Sequence, residues 1–260
     1  MDPRPIGLFD SGIGGLSVVR QLQRLAPAES LLYFADTACF PYGPRPAAEV
    51  RKRAFAITAR LLSSDVKAIV VACNTASAAA LADLRGAFDV PFIGMVPGVK
   101  PATASSRTGR VTILATEGTL DGQLYSRVVA DFGSNVEVSS VAGRGLAELV
   151  ERGHIHTPES RARITAVLAP EVSAGSDTVV LGCTHYHFLA ADIIAAFPGL
   201  TIIDTSEAVA RRTIQVLAES AAEAPGGTGV LNIIVSGDRA AFDVSMQRAG
   251  FPPPIQEVSV

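Results

Sequence analysis

Short runs of Val, Ile, Leu and Phe recur along the chain, separated by longer stretches in which apolar and polar residues mix at helical spacing. The runs fall at 5–9, 31–34, 67–71, 92–93, 111–115, 136–141, 178–181, 201–203 and 231–235. They lack strict apolar/polar alternation, which predicts strands buried on both faces. The stretches 14–25, 47–63, 76–87, 121–132, 159–169, 187–197 and 207–222 predict helices. Strand, helix and strand in repetition predicts parallel sheets.

A faint repeat runs through this pattern. Strand 5–9 leads into "DSGIGG" and strand 111–115 into "TEGTLDG". Cys73 then follows Asp10 by 63 residues, and Cys183 follows Thr116 by 67. The two cysteines end look-alike runs, "IVVACNT" (69–75) and "VVLGCTH" (179–185). The expected fold is α/β: two similar doubly wound domains with mainly parallel sheets and an active-site cleft between them. The first domain should end near Pro97 in "GMVPGVKP". The loop "EAPGGTG" (223–229) is rich in breakers, and the strand after it is expected to return to the first domain. The expected division is therefore 1–97 plus 208–260, with 98–207 as the second domain.

Composition narrows the function classes. With 260 residues, 48% apolar and only 18% charged, the chain can build a large core. A net charge of −3 offers no basic footprint for nucleic acid, and no Lys/Arg run favours an anionic membrane. The opening "MDPRPIGLFDSG" has only a four-residue apolar run, unlike a signal peptide, and no window reads as a membrane span. Three widely spaced cysteines make no disulfide framework. A reduced, cytoplasmic protein is expected.

The paired cysteines carry the candidate chemistry. Ligands of parallel sheets sit beyond the carboxyl ends of the strands. Cys73 and Cys183 both lie at such ends, where a helix should begin, with Asn74 or Thr75 and Thr184 as expected caps. A helix start offers free N–H groups and partial positive charge, which suits a carboxylate and should make a thiol easier to ionise. Two such domains face to face would put one thiol on each wall of a cleft. One thiolate would remove a proton from one face of a carbon while the opposite thiol delivers a proton to the other. Each cysteine taken singly reads better as a small buried hydrophobe; it is the matched pair that points to chemistry.

Other constellations weigh less. "GIGGLS" (12–17), with Asp36 downstream, resembles a dinucleotide fingerprint, but Ser17 occupies the third glycine position. Its glycines more simply allow a tight turn or close approach of the backbone to a small anion. Cys183, His185 and His187 alternate as zinc ligands on a strand would, yet they sit at a strand-to-helix junction. His154 and His156 read as loop residues. Of the lysines a pyridoxal enzyme would need, Lys52, Lys67 and Lys100 lack a pocket context.

The stretches "GLFDSGIGGLSV" (7–18), "YFADTACFPYG" (33–43), "ACNTASA" (72–78), "PFIGMVPGVKPA" (91–102), "GTLDGQLY" (118–125), "LVERG" (149–153), "LGCTHY" (181–186) and "IDTSEAVA" (203–210) span almost the whole chain. Together they resemble the glutamate racemases, within the cofactor-independent aspartate/glutamate racemase superfamily. The resemblance implies Cys73 and Cys183 as the two acid/base thiols. It implies that Asp10 assists on the Cys73 side and that Glu151 and His185 assist Cys183. Asp10, Ser11, Tyr42, Gly43, Asn74, Thr75, Thr116, Thr119, Thr184 and His185 would surround the amino acid. It further implies interconversion of L- and D-glutamate for peptidoglycan, with no metal and no organic cofactor. It allows a homodimer and, through "VPGVKPA", a cell-wall precursor as activator. Two positions depart from the pattern: Cys39 stands where arginine is common, and His187 where proline is common. Relatives acting on aspartate, hydantoin or malonate-type substrates are the enzymatic alternatives. A binding protein with structural cysteines is the non-enzymatic one.

Overall fold

The structure is a computed structural model that describes residues 1–133, 135–251 and 256–257. Among the described residues, ten strands form two separate, wholly parallel sheets. The first holds β1 (Ile6–Asp10), β2 (Leu31–Ala35), β3 (Ala68–Val71), β4 (Phe92–Gly94), β9 (Leu231–Val235) and β10 (Gln256–Glu257), ordered β10-β9-β2-β1-β3-β4. The second holds β5 (Arg110–Ala115), β6 (Glu137–Ala142), β7 (Thr178–Gly182) and β8 (Thr201–Ile203), ordered β6-β5-β7-β8. The helices are α1 (Leu16–Leu25), α2 (Ala47–Leu62), α3 (Asn74–Ala87), α4 (Val99–Ser105), α5 (Glu117–Leu120), α6 (Gln123–Phe132), α7 (Leu146–Glu151), α8 (Pro158–Ser173), α9 (Ala190–Ala196), α10 (Ser206–Glu219) and α11 (Arg239–Arg248).

The two sheets repeat one plan. The order β2-β1-β3-β4 in the first matches β6-β5-β7-β8 in the second. Ile6 pairs with both Leu31 and Ala68, and Val111 with both Val138 and Thr178. In each, the chain leaves the first strand to one side and later returns on the other. That reversal splays the connections and opens a crevice at the carboxyl ends of the two central strands. The α/β class and the parallel sheets of the sequence reading are thus present.

Burial explains the strand pattern. Every residue of β1, β2, β3 and β7 is buried, as their apolar runs require. Edge strand β6 is not fully covered, which accounts for its alternation of Val with Glu and Ser. One apolar cluster is continuous across both sheets, from Leu8 and Val70 through Leu149 and Val150 to Val179 and Leu181. The two walls therefore pack on each other.

Candidate active site

The first crevice lies between the ends of β1 and β3. Asp10 ends β1 and is fully buried, with Oδ1 accepting the Gly12 N–H at 3.0 Å and the Ser11 hydroxyl at 3.1 Å. Cys73 follows β3 in extended conformation (φ −143°, ψ 124°) and is the N-cap of α3. In the second crevice Cys183 follows β7 with φ −146° and ψ 134°, and opens the 3₁₀ turn Thr184–Leu189. The two cysteines thus occupy the same place in the two sheets with nearly the same backbone.

The capping differs from the sequence expectation. Asn74, Thr75 and Thr184 cap nothing. The Cys73 sulfur itself accepts the Ala76 N–H at 3.5 Å, and the Thr184 hydroxyl donates instead to Asp10 Oδ2 at 2.8 Å, across the cleft. The expected easing of Cys73 ionisation is also overturned. Burial pushes its thiol well above the ordinary value, the Asp10 carboxylate and the charge of Cys183 add to this, and the Ala76 and Thr75 N–H groups oppose without prevailing.

Around Cys183 the balance is different. Its Sγ lies 3.9 Å from His185 Nδ1, and His185 Nε2 lies 2.7 Å from Glu151 Oε1. Burial pulls the imidazole down, but its bonds to Cys183 and Glu151 outweigh burial and hold it well above the ordinary value. Glu151 Oε1 also accepts the Ile13 N–H at 2.6 Å, a second link between the walls. Burial raises the Asp10 carboxyl, against the His185 charge and the hydrogen bonds from Thr184 and Gly12.

A third link is made by hydroxyls. Thr75 Oγ1 lies 2.8 Å from Thr116 Oγ1, and Thr116 Oγ1 lies 2.9 Å from Thr119 Oγ1. Beside them the Gly118 N–H donates to the Gly43 carbonyl at 3.0 Å. Tyr42 is buried and its hydroxyl donates to Asp36 Oδ2, so only the backbone of 42–43 is left for a ligand. Asn74 is the exception to this pairing: its Oδ1 and Nδ2 are both buried without a hydrogen-bond partner. An unpaired buried polar group costs about 1–3 kcal/mol. An amino acid, with a carboxylate and an ammonium, would satisfy both atoms.

Cys73 and Cys183 are only 5% and 7% exposed. Both belong to apolar core clusters, and the polar atoms against their sulfurs are the Ala76 N–H at Cys73 and His185 Nδ1 at Cys183. Cavities of about 210 and 500 Å³ flank Gly43 and Pro44, reaching Thr116 on one side and Thr75 on the other. A cavity of about 740 Å³ around Arg4 and Lys67 lies at the opposite, amino ends of the strands, away from the thiols. The cleft is closed.

Some groups carry more than their sequence signals suggested. Asp36, read only as a fingerprint acid, accepts Tyr42, Arg53 and Ser236 and so anchors the 40–45 loop. Tyr33 donates its hydroxyl to the Gly12 carbonyl at 2.7 Å beneath the turn after β1. A buried tyrosine in a strand needs such a partner, and that requirement was the available clue. His187 is not a free surface residue; its ring bonds Asp204. His156 reaches Asp192, and His154 reaches Glu159. Among the described residues, no three His, Cys, Asp or Glu side chains converge as a metal would require. No helix among them is long and apolar enough to cross a membrane.

Comparison with known proteins extends this picture. The Asp/Glu/Hydantoin racemase family model matches residues 6–213. A glutamate racemase from Roseiflexus sp. (strain RS-1) is 45% identical over 253 residues, covering 96% of this chain and 93% of the relative. The crystal structure of glutamate racemase isoform RacE1 from Bacillus anthracis superposes with a TM-score of 0.90 at 31% identity, covering 100% and 98% of the two chains. That of Escherichia coli glutamate racemase, in complex with L-glutamate and activator UDP-MurNAc-ala, gives 0.83 at 33% identity, covering 96% of each chain.

Proposed function

The chain belongs to the Asp/Glu/Hydantoin racemase family, and from that premise we propose that it interconverts L- and D-glutamate by two-thiol proton transfer at Cα. One observation carries the reading: Cys73 and Cys183 hold equivalent positions, with matching backbone angles, at the crevices of two sheets built to one plan. We take the walls to be the units 1–97 plus 208–260 and 98–207.

In one direction the Cys183 thiolate takes the Cα proton, leaving the electron pair delocalised into the substrate carboxylate. The Cys73 thiol then returns a proton to the opposite face. The other direction reverses the roles. One proton leaves and one arrives, and no oxidation state changes, so the step balances without an oxidant or coenzyme. The imidazole of His185, held by Glu151, lies against the Cys183 sulfur. Burial keeps Cys73 protonated as the resting acid, with Asp10 as the neighbouring carboxylate that responds to its charge. The free amide of Asn74 and the backbone of Ser11 and Thr184 would bind the α-amino and α-carboxylate groups. Thr75, Thr116, Thr119 and the 42–43 backbone would take the side-chain carboxylate. The D-glutamate formed is read as destined for peptidoglycan, in the cytoplasm.

Replacement of either thiol tests this. Cys73→Ser and Cys183→Ser should each lower racemisation by about 10³-fold or more, because a hydroxyl is a far poorer base near neutral pH. In deuterated water the unaltered protein should introduce deuterium at Cα of glutamate, with L-aspartate a poor substrate. Undiminished turnover in either serine variant would sink the two-thiol reading.

A further inference from the structure

Gly12 and Gly14 lie in the turn between β1 and α1. Neither has a positive φ, so the turn itself would accept alanine at both. What forbids a side chain is the opposite wall. A β-carbon on Gly14 would stand 2.4 Å from Thr184 Oγ1 and 2.6 Å from His185 Nδ1, and one on Gly12 would stand 1.7 Å from Glu151 Oε1. Those groups have little room to retreat. Thr184 is bonded to Asp10, and His185 is held between Cys183 and Glu151 with its ring against Phe40. The pattern recurs at the hydroxyl link, where a β-carbon on Gly118 would stand 2.9 Å from both the Gly43 carbonyl oxygen and Thr75 Cγ2.

We propose that Gly12 and Gly14 are positioning residues for cleft closure. Their bare α-carbons let Glu151, Thr184 and His185 seat on the Asp10 turn, and that seating sets Cys183 opposite Cys73. The inference rests on the two-thiol reading. Displacing an acid/base group by about 1 Å costs about a hundredfold in rate, so kcat is where closure should register.

Gly14→Ala, Gly12→Ala, Glu151→Asp and Gly12→Ala/Glu151→Asp, each in the full chain, test it. The measurements are racemisation rate, thermal melting, and the alkylation rate of each cysteine read by peptide mass spectrometry. Gly14→Ala should lose about a hundredfold in kcat while melting as a folded protein. Its Cys73 and Cys183 should alkylate faster than in the unaltered chain, with Cys39 unchanged as the internal reference; general unfolding would accelerate all three. Glu151→Asp withdraws the carboxylate that collides with a side chain at position 12 and, measured alone, loses rate through its weakened bond to His185; Gly12→Ala should therefore cost a smaller factor in the Glu151→Asp background than in the unaltered chain. Unaltered kcat and alkylation in Gly14→Ala would overturn the inference. Should Gly14→Ala not fold, full activity in Gly12→Ala, or an equal factor lost on adding Gly12→Ala to the unaltered chain and to Glu151→Asp, overturns it. Active serine variants of the cysteines would instead defeat the two-thiol reading, whatever the glycine variants do.

Discussion

The Glu151–His185–Cys183 series shows how neighbouring residues set the ionisation of the one between them. Against burial, the bond to Cys183 lifts the imidazole first, and Glu151 adds to it by its hydrogen bond and its charge. A base raised in the folded state contributes stability that is complete below its unfolded value near 6.5 and is lost as pH rises through the folded value. Glu151→Gln removes part of that lift, the part due to its charge. Stability in that variant should therefore fall over a narrower span, starting near 6.5 as in the unaltered chain but levelling off at lower pH and by a smaller amount, as read by denaturant melts across a pH series. Its racemisation should drop by about 10²-fold, with the basic limb of the rate profile shifted the same way. At this scale the sequence placed the two cysteines at the starts of helical turns but did not show their ionisation. Helix-start reasoning placed Cys73 correctly and then misjudged its ionisation, because burial outweighs the N–H groups of the helix start. The capping role of its sulfur was equally hidden, since asparagine and threonine are far commoner caps than cysteine.

At the scale of elements, Lys67 shows what the amino end of a strand is for. It enters β3 with its ammonium fully buried, 2.6 Å from Glu29 Oε2 and 2.8 Å from the Asp2 carbonyl. Glu29 Oε1 in turn accepts the Ala224 N–H. Lys67→Ala would leave the carboxylate buried and uncompensated, at a cost of about 3–5 kcal/mol. Lys67→Met with Glu29→Gln should recover most of that loss in urea denaturation; equal losses in the single and double variants would contradict the account. Nine strands were legible in the sequence because Val- and Ile-rich runs have few other uses. The tenth, Gln256–Glu257, is too short to carry a pattern. Helices α4, α5 and α7 have between four and seven residues, so a period of 3.6 has no length in which to show. Helix α11 was readable in principle, since Asp238 caps it and Phe242 and Met246 are buried one turn apart. Half of its ten residues are polar, which concealed it.

Across the whole molecule, the cleft is held shut by three links of different chemistry: Thr184 to Asp10, Ile13 to Glu151, and Thr75 to Thr116. A ligand lying between the walls should strengthen all three together. At a hundred times its Kd, glutamate should stabilise the chain by about 2.7 kcal/mol, and amide hydrogen exchange should slow at 10–15 and 182–185. Stabilisation without protection of those amides would put the ligand elsewhere.

The order of the strands also bears on how the chain comes into being. Every strand of the four-stranded sheet lies between residues 110 and 203, so that sheet can assemble as soon as this stretch leaves the ribosome. The six-stranded sheet, although its first strand is made at the outset, must wait for residues 231–235 to line up beside β2. During synthesis the flank of β2 is therefore an unpaired, fully apolar edge, the kind of template on which strands of other chains add. The part of the protein made first is the part completed last, and in that interval it is exposed to aggregation.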